Sequence, residues 1–114
     1  MKINKFEDIF AWQRAGKLTL NIYNIFWDCR DFGFANQMQR AAISIMNNIA
    51  EGFERNTNKE FRNFLFIAKG SCAEVRSMLY IAVRLNYINK DQFSLLANQA
   101  IEISKLLSGL IKTL

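Results

Sequence analysis

A row of cations on one helical pattern is the first place in this sequence where residue type and spacing suggest chemistry. With about 100° between successive residues, Lys59, Arg62, Lys69, Arg76 and Arg84 fall in one arc, and Phe66 and Tyr80 share it. Glu60 and Glu74 point elsewhere. Cations one or two turns apart can follow a phosphate backbone, and exposed aromatic rings can stack on unpaired bases. The competing explanation is a solvated helix face whose two aromatics cap an intersubunit edge. A second group, the polar row Arg40, Ser44, Asn48 and Glu51 on the preceding pattern, could with Ser71 and Glu74 of this one be read as an enzyme site containing two carboxylates. An arginine beside two carboxylates lowers their pKa, the wrong direction for a general acid. The chain has no histidine, so it lacks the commonest general base, the commonest metal ligand and the Glu-x-x-His pair of di-metal bundles. It has no Gly-rich phosphate loop either. The expectation is no catalytic residue, no metal and no cofactor. The Arg40 row is expected to be a structural network that sets helix register or subunit contacts.

The elements that must position these rows are helical. Among 114 residues there is no proline and only five glycines, and 51% of the residues are apolar, which suits long helices better than a turn-rich sheet. That length fits one domain, residues 1–114, able to bury a core without metals or disulfides. A first pattern over residues 7–29 gathers Ile9, Trp12, Ala15, Leu18, Ile22, Phe26 and Trp27 into an apolar arc of roughly 200°, wider than the ~100° needed to cover a core. The excess predicts a second contact surface, most simply another subunit, with Trp12, Tyr23 and Trp27 in the core or at that interface. Asp31-Phe32-Gly33 is read as the break, Gly33 reversing the chain.

The second pattern, residues 35–55, is apolar on two sides, so the polar row between them should be partly buried. Arg40 and Glu51 lie too far apart to pair, so their partners are expected on neighbouring helices. Thr57-x-x-Glu60 has the form of a capping box opening a third helix over residues 59–86, about 40 Å long at 1.5 Å per residue. Its core face is Phe61, Phe64, Leu65, Ala68, Cys72, Val75, Leu79 and Ala82, and Gly70-Ser71 is expected where another helix approaches closely. Asn89 to Gln92 is a second cap, before a fourth apolar pattern. Four helices joined by short connections predict an all-α fold, an antiparallel up-down-up-down four-helix bundle. Cys29 and Cys72 lie on separate patterns and read as reduced, mostly buried thiols.

Residues 37–79 carry a resemblance to a known family. The string Arg40-Ala-Ala-Ile-Ser-Ile-x-Asn47-Asn48-Ile-Ala-Glu51-Gly52, then Lys59-Glu60-Phe61 and Ile67-Ala-Lys69-Gly70-Ser71-Cys72-Ala-Glu74-Val75, resembles the four-helix-bundle family encoded by intervening sequences of bacterial 23S ribosomal RNA genes. Phe6-Glu-Asp-Ile-Phe-Ala-Trp12-Gln-Arg-Ala15 and Leu85-Asn-Tyr87-Ile88 fit the same pattern, so the resemblance spans about residues 6 to 90. It implies a cytoplasmic bacterial protein that assembles as a ring-like homo-oligomer, typically a pentamer, with a suspected role in binding nucleic acid. It supplies no catalytic residues.

A net charge of +5 favours an acidic partner. No apolar run approaches the ~20 residues of a spanning helix, and the N-terminal stretch has no signal-like apolar core. The sequence thus predicts a cytoplasmic, non-catalytic homo-oligomer binding RNA or DNA through Lys59, Arg62, Phe66, Lys69, Arg76, Tyr80 and Arg84, with no membrane role. The alternative is a protein-interaction scaffold.

Overall fold

The computed structural model describes residues 2–114. A 3-10 turn, Phe6–Asp8, leads into four helices: α1 (Phe10–Ile25), α2 (Phe32–Phe53), α3 (Asn58–Arg84) and α4 (Lys90–Lys112). Each helix packs on the next, α1 closes against α4, and among the described residues the backbones of the diagonal pairs do not approach closely. The result is the expected antiparallel four-helix bundle, 43 Å long and 21 by 19 Å across.

The helix ends follow from their caps. Asp31, rather than Gly33, sets the start of α2. Its carboxylate accepts the Phe34 N–H at 3.1 Å, and Gly33 lies inside the first turn with ordinary helical backbone. The chain-reversal role expected of Gly33 is therefore wrong, because a capping aspartate satisfies the free amides two residues earlier. At α3, Thr57 accepts the Glu60 N–H at 3.1 Å, but its hydroxyl then donates to the Glu60 carboxylate, so only half of the box forms. At α4 the box is complete, through Gln92 N–H to Asn89 at 2.8 Å and Asn89 N–H to Gln92 at 2.9 Å.

The core is the union of one face from each helix. Ala11, Ala15, Leu18 and Ile22 come from α1, and Met38, Ala42, Ile45 and Ile49 from α2. Leu65, Ala68, Cys72, Val75 and Leu79 come from α3, and Leu96, Ala100, Ile103 and Leu107 from α4. Burial pushes the Cys72 thiol up to about 12, which leaves it protonated and inert. Of the two tryptophans expected in the core or at an interface, Trp27 is not in the core. It follows the end of α1 and is 82% exposed, whereas Trp12 is half-buried and meets Phe6 edge-on at 5.3 Å.

One close approach decides how α2 and α3 meet. A Cβ on Gly52 would lie 2.6 Å from the Phe64 Cβ and 3.1 Å from the Phe61 ring, while Gly70, the position expected to allow such an approach, has open space around it. Phe61 meets Phe53 edge-on at 5.8 Å, and the Arg55 guanidinium sits 4.8 Å above the Phe64 ring. Gly52→Ala should therefore cost about 1–3 kcal/mol by overpacking. Gly70→Ala should be neutral or stabilise by up to about 1 kcal/mol through helix propensity. Thermal unfolding of both variants tests the pair, and equal effects would overturn the assignment.

At one end of the bundle, Asp31 ties two connections together. Its Oδ2 accepts the Tyr87 hydroxyl at 2.7 Å while Oδ1 serves the cap, and these two hydrogen bonds hold the carboxyl below its ordinary value. A carboxyl whose folded pKa is depressed stabilises the fold above its unfolded value of about 3.9, and that contribution fades as pH falls through the lower folded value. Tyr87→Phe removes the larger cause. Denaturant unfolding between roughly pH 5 and pH 2 should then show a shallower loss of stability than in the parent protein. Identical slopes would show that the two groups are uncoupled.

Candidate nucleic-acid interface

The rotation of α3 that buries Leu65, Ala68, Cys72, Val75 and Leu79 places Arg62, Lys69, Arg76 and Tyr80 along the seam with α4. The cross-helix contacts run in order. The Arg62 guanidinium donates to the Leu114 carbonyl, Lys69 Nζ donates to Ser108 Oγ at 2.7 Å, and the Tyr80 ring lies 5.2 Å from that of Phe93. As α3 ascends from 62 to 80, α4 descends from 114 to 93. The predicted row is thus a physical feature about 27 Å long at 1.5 Å per residue.

The structure adds residues that the sequence reading missed. Along this seam lies a shallow, open groove lined by Arg76, Ile101, Ser104, Lys105, Ser108, Gly109 and Lys112. Arg76 comes from α3 and the two lysines from α4, so three cations from two helices border the groove and no carboxylate lines it. Among the described residues the only ion pairs are Arg14–Glu102 at 3.0 Å and Arg55–Glu51 at 3.1 Å, neither in the groove. The first holds Glu102, the nearest acid in sequence to Lys105, toward α1. A signal for α4 was present, since Ser104, Ser108 and Lys112 recur every four residues beside Lys105. Reading α4 only for its apolar spacing passed over it.

The remaining members of the row stand apart. Lys59 and Arg84 are exposed at the two ends of α3, Arg84 where a cation complements the helix dipole. Phe66 and Tyr80 are each 54% exposed.

The polar network on α2 is smaller than expected. Asn48 Nδ2 donates to the Ser44 carbonyl at 2.7 Å and to Ser44 Oγ at 3.0 Å, and buried Ser71 donates across from α3 to Ser44 Oγ at 2.9 Å. Arg40 and Glu51 are not part of it. Both are exposed, and Glu51 pairs with Arg55 one turn along its own helix rather than with a neighbouring one. The row drifts around α2, so its centre faces α3 while its ends reach solvent. Glu74 is also exposed, and the two carboxylates considered as an enzyme site do not meet.

An antiparallel four-helix bundle with a cationic seam between its third and fourth helices is the class of protein these features define. Residues 7–109 match the family described as 23S rRNA-intervening sequence protein, and the chain belongs to that family. A solved structure from Bacteroides thetaiotaomicron, described as a protein of unknown function from the S23 ribosomal protein family, superposes with a TM-score of 0.84 at 27% identity. The alignment covers 90% of this chain and 98% of that one. No curated protein matches. No helix here is long and apolar enough to cross a membrane among the described residues.

Losing the Ser71 hydroxyl leaves Ser44 short of a partner in a part-buried site, so Ser71→Ala should cost about 1 kcal/mol. Glu51→Ala, an exposed change, should stay within about 0.5 kcal/mol in the single chain. Thermal melts rank the two, and a larger loss for Glu51→Ala would mean that another copy covers that carboxylate.

Proposed function

We propose that the protein is a non-catalytic, cytoplasmic homo-oligomer that binds RNA or DNA through the α3/α4 seam. The observation that carries this is the groove bordered by Arg76, Lys105 and Lys112 with no acidic lining residue and no ion pair. Three cations along one open groove, none paired with a carboxylate, attract a polyanion, whose binding releases its own counterions. Ser104 and Ser108 add hydroxyls that can donate to phosphate oxygens. Membership of the 23S rRNA-intervening sequence protein family agrees with this role, and the pentameric ring implied by the sequence resemblance would repeat the seam around an axis.

A second reading, a protein-interaction scaffold, is favoured by apolar surface away from the groove. Trp27 and Phe32 are 82% and 79% exposed at the α1–α2 connection, and Phe10 and Leu20 are exposed on α1. Patches of this kind attract protein surfaces, and in a homo-oligomer the same residues would serve subunit contacts.

Salt dependence separates the two. Labelled RNA and DNA titrated with protein of known oligomeric mass should bind with an affinity that falls steeply as salt rises. Arg76→Glu with Lys105→Glu should weaken binding at least about tenfold and flatten that slope. A double variant that binds as well as the parent, or no binding at low salt, would overturn the proposal and favour the scaffold.

A further inference from the structure

We infer that the α3/α4 seam takes an unpaired polynucleotide strand, its phosphates at Arg76, Lys105 and Lys112 and a base against the Tyr80 ring. This rests on the nucleic-acid reading above and adds the form of the strand. Three observations carry it.

The cations lie along one narrow seam between two antiparallel helices, flush with a bundle 21 by 19 Å across. A body of that width cannot enter a duplex major groove about 12 Å wide. Neither α3 nor α4 projects as a separate reading helix, since each is flanked by two neighbours. A single file of cations suits one backbone better than two. The second observation is the placement of Tyr80. It follows Arg76 by four residues, one turn further along the same face, and this puts a ring at the end of the cationic groove. Thirdly, that ring is held but uncovered. Phe93 packs against it with centroids 5.2 Å apart and a 59° tilt, while 54% of Tyr80 stays open to solvent. An anchored, half-open ring beside a phosphate site is the arrangement on which unpaired bases stack, and a paired base inside a duplex cannot reach it. Charge alone predicts the opposite preference, because a duplex carries the denser phosphate array and gives the steeper salt response.

The test is fluorescence anisotropy with labelled oligonucleotides of one sequence, as single strands and as blunt duplexes, each in ribose and deoxyribose form, at fixed salt. The expected result is tighter binding of the single strands by about tenfold. Tyr80→Leu, which keeps an apolar contact for Phe93, should weaken single-strand binding about tenfold, the scale of one lost base stack. It should leave duplex binding unchanged and lower the melting temperature by no more than the few degrees expected for one lost aromatic pair, and Tyr80→Phe should retain the parent affinity. A ribose or deoxyribose preference among the single strands supports the inference either way and identifies the sugar. Equal or tighter duplex binding that remains sensitive to Arg76→Glu would overturn the strand assignment while leaving the groove as a nucleic-acid site. So would an unaffected Tyr80→Leu. A changed oligomeric mass in Tyr80→Leu would overturn it as well, by placing the ring in a subunit contact. No binding of any form would overturn the parent proposal itself.

Discussion

The contact of α2 with α3 at Gly52 is the constraint from which the surface chemistry follows. With no side chain at Gly52, Phe64 comes close enough that a methyl group would sit 2.6 Å from its Cβ. Two turns further along α3, Ser71 reaches Ser44 across the same interface. Two fixed points on one long helix leave little freedom of rotation about its axis. Given that rotation, Leu65, Cys72 and Leu79 point inward, and Lys69 and Arg76, each four residues beyond or before an inward position, must emerge at the seam with α4. The cationic groove is thus a consequence of packing on the opposite side of the same helix.

Assembling that groove opposes stability slightly, and the structure contains the means of tolerating it. Arg76, Lys105 and Lys112 lie on an open face where water and salt screen their repulsion. Lys69 is drawn to the Ser108 hydroxyl and Arg62 to the Leu114 carbonyl, contacts that orient the cations without neutralising them. Glu102 lies three residues before Lys105 yet is engaged by Arg14 on α1. A bundle optimised only for surface electrostatics would interleave the signs along this seam.

Helix number, order and inward faces were legible because each rests on local periodicity and caps, as at Asn89–Gln92 and along Phe61 to Ala82. Errors fell where a residue's role depends on what lies across from it. Gly33 and Gly70 attracted attention as glycines, yet Asp31 makes the turn and Gly70 faces open space. Gly52, within the recognised family string, is the glycine that packing requires, and only the position of Phe64 reveals it. Arg40 and Glu51 looked buried because α2 is apolar on two sides, but the row's drift carries both to solvent. The α3 cations were legible from spacing. Their α4 partners share a helical spacing too, but which α3 residues they face was not legible, because the register of two helices joined by a turn is set by tertiary packing.

The structure also narrows which cations can bear a functional argument. Several members of the α3 row have sufficient structural reasons. Arg62 serves the Leu114 carbonyl, Lys69 serves Ser108, and Arg84 sits where the helix dipole favours positive charge. Such residues would be expected in a bundle that binds nothing. Arg76 and Lys105 have no such explanation, since they pair with no carboxylate and border one groove, whereas Lys112, like Arg84, lies in the last turn of its helix. Family membership and a shared fold at 27% identity account for the bundle, whose core any relative must keep, but not for like charges gathered from two helices on its surface. The case for a ligand on this face therefore rests first on Arg76 and Lys105, one from each helix of the seam, with Lys112 free to join them because its place in the last turn leaves its ammonium open to solvent.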